Sequence, residues 1–442
     1  MEPTVASGAY GVEALAGPPP KGSTPSPAVM PPLRILFVSP YIPSPIRVRP
    51  YNLIKYLAGQ GHQVTLLALV PPGEDAGSLE TLRHWCYQVQ VAPLPKWRTL
   101  WNALSALPSR IPLQAAYSRS PEMAALIRQT LAANRFDVIH VEHLRGAELS
   151  WAIEGRPVVF DSVDSITLLF ERVSQAGPTW RSRLMARLDL ARTRYYESRL
   201  LERYARVLVT SPMDRAALAK ISTVQPVGEQ LVVLPNGVDL EYFAPIDTLR
   251  DPATLIFTGK MSYHANIAAA QDLITQVMPM LWEQLPEAKL VIAGKDPPAK
   301  LMALAADPRI TITGTVPDLR PYLAQATISV SPIRYGVGIQ NKVLEAMAMA
   351  TPVITTPQAV TSLQAQAGHD LMVADTAQAV AQAALALLSD QGLRQKIGQA
   401  GRRYVETYHD WRVTAQNLEA IYREVIALNG KNKEKVGLEV VR

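Results

Sequence analysis

The residues that could do chemistry with a phosphate lie in the second half of the chain. Gly336-Val337-Gly338-Ile339-Gln340-Asn341-Lys342 sets two glycines, two amides and a lysine directly before an apolar helical run. Free N–H groups at a helix start, with the helix dipole behind them, attract phosphate. A lysine in the first turn is unfavourable there unless an anion is present. Lys342 therefore reads as a phosphate ligand, against the alternative of a surface lysine at a helix end. Glu345, one turn along, offers a carboxylate to the two hydroxyls of a ribose, or else simply complements the dipole. Neither the G-x-G-x-x-G fingerprint nor a Walker sequence occurs. In the first half, Asp161 and Asp164 follow a short apolar run and are expected at a cleft rim, where paired acids could hold acceptor hydroxyls. Asp164 could equally cap the next helix. Arg49 is placed with them on the acceptor side. Ser211-Pro212-Met213-Asp214 fits a capping box with proline at the first helical position, which makes Ser211 structural.

These residues need strands that end at one edge. Apolar runs at 34–38, 64–70, 138–141, 158–160, 207–209 and 231–234 read as buried strands, and a helical pattern covers 48–60. The alternation restarts with strands at 254–257, 289–293, 310–313, 328–330 and 353–355. Helices are expected at 265–285, 343–349, 376–388 and 393–408. Two doubly wound parallel-sheet domains follow, with ligands in the cleft beyond the carboxyl ends of the strands. The expected division is a disordered extension at 1–32, a first domain at 33–245 and a second at 246–408. A helix at 409–428 and a flexible tail at 429–442 complete it.

Composition narrows the class. The 442 residues include one cysteine, Cys86, so no internal disulfide framework exists. No apolar run reaches the roughly 18 residues of a membrane span, and residues 1–32 do not resemble a secretory leader. A cytoplasmic protein is the expectation. Residues 33–245 hold 24 Lys and Arg against 18 Asp and Glu. Much of that excess is arginine at 181, 183, 187, 192, 194, 199, 203 and 206, interleaved with Trp180, Leu184, Met185, Leu188, Tyr195 and Tyr196. Such a helix could meet an anionic membrane from the inner face of the cell membrane; the alternative is a solvated helix with paired charges. No nucleic-acid partner is expected.

Residues 334–356, from Arg-Tyr-Gly-Val-Gly-Ile-Gln-Asn-Lys to Val-Ile-Thr-Thr, resemble the donor-site signature of the retaining GT-B glycosyltransferases of family 4. They look closest to the exosortase (PEP-CTERM) associated sugar transferases. Leu234-Pro235-Asn236-Gly237-Val238-Asp239, Phe257-Thr258-Gly259-Lys260-Met261, Thr313-Gly314-Thr315-Val316-Pro317-Asp318 and Tyr408-His409-Asp410-Trp411 fall in the family's order. The resemblance spans most of residues 34–427. It implies donor contacts from Gly259, Lys260, Asn341, Lys342 and Glu345. It also departs from the pattern. Glu345 fits the second glutamate of the family motif, but Val337 stands where the first would be, so N–H groups of Gly338 and Ile339 are expected to replace that contact. Lys260 fits the first of the family's two phosphate-binding cations. The second is replaced around Ala265-Asn266, and Lys342 could supply the lost charge. The first loop reads Ser44-Pro45-Ile46-Arg47 in place of two glycines.

Phe136-Asp137-Val138-Ile139-His140-Val141-Glu142-His143 resembles the family's strand that ends near the reaction centre. The family's histidine position aligns best with Glu142, flanked by His140 and His143. His140 and Glu142 share a face while they remain in a strand, and His143 reaches the cleft once the strand ends. All three are candidate catalytic residues, with His143 preferred. The resemblance implies a retaining, metal-independent transferase moving a sugar from a nucleoside diphosphate sugar to a glycan or lipid-linked acceptor, with no cofactor and no bound metal. A nucleotide-sugar epimerase of similar fold and a non-catalytic nucleotide-sugar-binding protein are the alternatives.

Overall fold

The computed structural model describes residues 30–440, apart from 75, 154, 177–178, 224–227 and 334–339. From Leu33 onward the chain forms one unit carrying two sheets. The first holds β1 (Arg34–Ser39), β2 (Gln63–Val70), β3 (Gln88–Pro93), β4 (Val138–Glu142), β5 (Val158–Val163), β6 (Arg206–Val209) and β7 (Leu231–Val233), in the order 3-2-1-4-5-6-7. The second holds β8 (Thr254–Thr258), β9 (Lys289–Ala293), β10 (Ile310–Gly314), β11 (Ile328–Ser331), β12 (Val353–Thr355) and β13 (Met372–Val373), in the order 10-9-8-11-12-13. Every pairing is parallel. The central strands are largely apolar and buried on both faces because helices cover both sides, with His140, Glu142 and Arg206 among their few buried polar residues. The class is α/β, with two Rossmann-like, doubly wound halves.

Each sheet reverses its winding once, between β1 and β4 and between β8 and β11. Open sheets of this kind bind ligands beyond the carboxyl ends of the strands at that switch point. The loops after these four strands carry residues 40–47, His143, Gly259-Lys260 and the run leading to Asn341.

The halves are joined twice. The chain passes from β7 to β8 through residues 234–253 and returns at 409–411, where the Val238 N–H donates to the His409 carbonyl at 2.7 Å. The C-terminal helix Trp411–Val440 lays Trp411, Ala415, Leu418, Tyr422 and Val425 against the first half, on one helical stripe. Helix Pro357–Leu363 of the second half also touches helix Pro212–Ile221 of the first.

Three elements differ from the sequence expectation. β3 alternates polar and apolar residues at a sheet edge, so no continuous apolar run marks it. The helix expected over 265–285 is helical over His264–Asp272, takes a π turn over Leu273–Val277 and resumes at Met278–Trp282. Pro279 lacks an N–H and cannot continue the regular ladder. The flexible tail expected from 429 is instead a continuation of the C-terminal helix to Val440, where Lys, Glu and Leu favour helix and no proline interrupts. Residues 1–29 of the expected extension lie outside the described residues.

Candidate active site

On the second sheet, the first turn of helix Asn341–Ala348 has no side-chain cap and no acidic residue. Its flanking Gln340 is occupied, because Ser331 Oγ donates to Gln340 Oε1 at 3.0 Å. Lys342 reaches across to helix His264–Asp272, where its Nζ donates to Asn266 Oδ1 at 2.6 Å. Asn266 Nδ2 in turn donates to the Lys260 carbonyl at 2.8 Å. The Lys342 ammonium also lies 4.6 Å from the centre of the Phe257 ring, in cation–π range.

Gly259 makes this placement possible. A Cβ there would sit 2.8 Å from Asn266 Nδ2 and 2.9 Å from Lys342 Nζ, and the residue's φ is +153°. Lys260 lies beside it with an exposed side chain. Burial lowers the Lys342 pKa to about 7, with Glu345 opposing the shift. Burial raises the Glu345 pKa to about 7, with Lys342 opposing. A cation that burial disfavours, beside an uncapped helix start, suits a bound anion. Asn341 Oδ1 accepts from Asn236 Nδ2 at 3.4 Å, which ties the helix to the connection between the halves. Gly338, Ile339 and Val337 lie outside the described residues.

On the first sheet, backbone strain marks two neighbouring strand ends. His143, directly after β4, has φ +65°, and Val163, at the end of β5, has φ +67°. Left-handed backbone in residues other than glycine costs of order 1–3 kcal/mol and clusters at functional sites. His143 Nδ1 accepts the Arg145 N–H at 3.1 Å, so the neutral ring carries its proton on Nε2. Burial, followed by the charges of Arg145 and Arg47, lowers its pKa to about 3. His143 is therefore a neutral hydrogen-bond donor at physiological pH.

Four other candidates from the first half have different surroundings. His140 is fully enclosed, stacked on Phe37 at 4.2 Å, with the Tyr422 hydroxyl 2.9 Å from Nδ1 and Asp161 Oδ2 3.6 Å from Nε2. It packs beneath the C-terminal helix, away from any open cleft surface. Strand alternation sends it into the layer that this helix covers. Asp161 is likewise fully buried, accepting Arg49 Nε at 2.7 Å and the Val163 N–H at 3.1 Å. It holds no free acceptor at a rim. Arg49 Nη1 donates to the Leu234 carbonyl and to Asn236 Oδ1, both at 2.9 Å, and clamps the first sheet to the connection between the halves, while the buried Nη2 has no hydrogen-bond partner. Glu142 is buried and accepts the Tyr41 hydroxyl at 2.8 Å; burial and the charge of Asp161 raise its pKa to about 8, so it is protonated at neutral pH.

Asp164 alone of the paired acids stays partly exposed, bonded by Thr210 Oγ1 at 3.1 Å. It does not cap the next helix, because Ser165 Oγ accepts the Leu168 N–H. Ser211 does cap its own helix, accepting the Asp214 N–H at 3.2 Å.

Residues 47–242 match the model for Glycosyltransferase Family 4, and residues 252–390 match the model for glycosyl transferases group 1. The chain is a glycosyltransferase of the GT-B fold. The transferase is 24% identical to the phosphatidyl-myo-inositol mannosyltransferase of Mycobacterium leprae over 424 residues, covering 90% of this chain and 98% of that one. It is 22% identical to the Mycobacterium tuberculosis protein of the same name, covering 90% and 99%. Among solved structures it is similar in fold to a glycosyltransferase from Rickettsia africae, with TM-score 0.64, 17% identity, and 89% and 99% of the two chains covered. Sucrose-phosphate synthase from Thermosynechococcus elongatus gives a TM-score of 0.66 at 18% identity, with 89% and 100% covered. Anabaena HepE, solved in complex with UDP-glucose, gives 0.63 at 14% identity, with 89% and 100% covered.

The transferase also uses residues that sequence reasoning passed over. Tyr41 joins Glu142 to His143, whose rings lie edge-on at 6.3 Å between centroids. Asn236 accepts from Arg49, donates to Asn341 and shares its carbonyl with His409. Tyr41 lies in the loop after β1, and Asn236 lies in the 234–239 segment that resembles the family's. Their own side chains carry no spacing signal.

Proposed function

We propose that the protein is a retaining glycosyltransferase that takes a nucleoside diphosphate sugar and glycosylates a glycan or lipid-linked acceptor in cell-surface or exopolysaccharide synthesis. The Lys342–Asn266 contact over Gly259 carries this reading. It sets a cation at the uncapped start of a helix, where a diphosphate leaving group would develop charge, and preorganised charges of this kind stabilise a leaving group without a metal. Glu345 would hold the ribose. Retention fits the first half, because Asp161 is committed to Arg49 and Glu142 is protonated, so neither offers a carboxylate nucleophile. Attack on the face that the leaving group vacates needs none. The kinship with exosortase-associated sugar transferases rests on the run around Asn341-Lys342.

The acceptor would be met at an anionic membrane. No described helix is long and apolar enough to cross one. Helix Trp180–Arg203 exposes Trp180, Met185 and Leu188 among its arginines, and helix Lys96–Ala106 exposes Trp97, Leu100, Trp101 and Leu104, each more than half accessible. The two helices meet where Arg192 donates to the Leu107 carbonyl. Aromatic and aliphatic side chains ringed by arginine suit shallow insertion. Sedimentation with vesicles tests this: binding rises with anionic lipid, falls with salt and drops when Arg181, Arg183, Arg187 and Arg194 become glutamine. Equal binding to neutral vesicles refutes it.

A thermal-shift screen across UDP-, GDP- and ADP-sugars tests the donor assignment. A ligand at one hundred times its Kd stabilises by about 2.7 kcal/mol. No shift with any donor, and no transfer or slow hydrolysis, would refute the enzymatic reading.

A further inference from the structure

Arg145 is a partly buried guanidinium that makes no ion pair among the described residues, although the charge of Glu74 acts on it. It belongs to the short helix His143–Gly146 that follows β4. Its Nε is enclosed and has no hydrogen-bond partner. The nearest support for the cation is the Tyr117 ring, 5.5 Å from Cζ. Arg49, Arg119 and Arg206 pair with Asp161 at 2.7 Å, Glu148 at 2.6 Å and Glu424 at 3.1 Å, whereas Arg203 makes no ion pair among the described residues but lies 3.7 Å over the Trp151 ring. Burying a charge without a partner is costly, and proteins avoid it by pairing or by binding a counter-ion.

A second cation stands on the same side of His143. The Arg47 guanidinium lies 4.1 Å over the Tyr41 ring, whose other neighbours are Glu142 and His143. Among the described residues it pairs with Glu74 at 3.6 Å, longer than a direct hydrogen bond. Arg47 and Arg145 both depress the His143 pKa, so both fields converge on that ring. Three groups that favour an anion therefore meet at the end of β4: two guanidinium ions and the Nε2–H of a neutral histidine. The donor's phosphates already have Lys260, Lys342 and a helix start on the other half.

We propose that the acceptor carries a phosphoryl group, held by Arg145 and Arg47 beside His143. This rests on the donor assignment above, which leaves the first half to the acceptor. Guanidinium forks match phosphate oxygens in a paired geometry that lysine cannot supply. An anion there would meet the enclosed Nε of Arg145 and fix the acceptor with its nucleophilic hydroxyl next to the reacting sugar. The phosphate could instead be the donor's own, reached from across the cleft.

Calorimetric titration of inorganic phosphate separates these sources. The protein is first saturated with whichever of UDP, GDP or ADP it binds. Phosphate is expected to bind this complex, with affinity at least ten-fold weaker in Arg145→Met and in the more exposed Arg47→Met. Nucleotide affinity should stay within two-fold of the parent in both variants. Lys342→Met should show the reverse pattern. Arg145→Met should also unfold at a higher temperature than the parent without ligand, since the unpaired charge is gone. Phosphate that competes with the nucleotide would assign the arginines to the donor and overturn the proposal. So would phosphate binding that both methionine variants retain, no phosphate binding at all, or a lower unfolding temperature for Arg145→Met. If no nucleotide binds, the donor assignment fails by itself, and the same titration on the free protein still reads the arginine site.

Discussion

Lys342 and Asn266 are 76 residues apart in sequence, yet the lysine Nζ lies 2.6 Å from the asparagine Oδ1. The contact puts the ammonium of one helix at the position of a side chain on another. The family pattern that the sequence resembles implies a second phosphate-binding cation around Ala265-Asn266, and Lys342 is proposed to supply that charge from the other helix. Lys342→Met is expected to weaken nucleoside diphosphate binding by about 1–3 kcal/mol, the scale for a charged hydrogen bond. Adding Asn266→Lys should restore most of it. Calorimetry on the parent, the single variant and the double variant checks this; a double variant no better than Lys342→Met would show that the position of the charge is not what matters.

Gly259→Ala should act through the same ammonium. The new Cβ would fall 2.9 Å from Lys342 Nζ and 2.8 Å from Asn266 Nδ2, so the lysine must move. Nucleotide affinity is expected to fall about as far as in Lys342→Met, with an unchanged far-ultraviolet spectrum. Full affinity in this variant would mean that the cradle tolerates the shift.

His143 combines strain with a reactive position, and the two should separate by substitution. With φ at +65°, His143→Gly relieves the left-handed backbone and is expected to raise stability by about 1 kcal/mol. It should lower kcat ten-fold or more, about 1.4 kcal/mol, with donor affinity nearly unchanged. His143→Ala should lose the same activity without gaining stability. His140→Ala, by contrast, should cost stability through the core contacts with Phe37 and Tyr422. Denaturant titrations and initial rates on the three variants decide, and a kcat unchanged in His143→Gly would remove the histidine from the reaction.

Glu142 predicts a pH dependence of stability. Its folded pKa is raised to about 8 from an ordinary value of 4.5, mainly by burial and then by Asp161. Between those two values the folded state binds the extra proton. Its contribution is therefore fully present below about pH 4.5 and is lost as pH rises through about 8. Glu142→Gln mimics the protonated acid and can still accept from Tyr41. The difference in melting temperature, variant minus parent, should grow in the variant's favour from pH 6 to pH 9. A flat difference would show that Glu142 titrates normally.

The alternation of apolar runs with helical patterns was readable because it is local. A strand buried on both faces is mostly apolar, and short apolar runs marked β1, β4, β8 and β11, the four that frame the switch points, although β4 also buries His140 and Glu142 and β11 buries Ser329 and Ser331. The helix that starts at Asn341 was also legible, and with it the placing of Lys342 in a first turn without acids, where a cation conflicts with the dipole unless an anion resolves it. Edge strand β3, with its mixed alternation, was not. Nor was the fate of the polar residues at the strand ends. His140, Asp161, Arg49 and Glu142 were all eligible for a cleft. Which ones face it depends on which strands become neighbours and on what covers them. Pairing β4 with β5 sets Glu142 opposite Asp161, and the C-terminal helix brings Tyr422 onto His140 from the far end of the chain. Arg49 and Asp161 satisfy each other only because the fold brings them within 2.7 Å. That leaves His143 at the strand end and Arg145 without an ion pair among the described residues. A side chain's type states which bonds it can make, and only the packed neighbours determine which are left for a ligand.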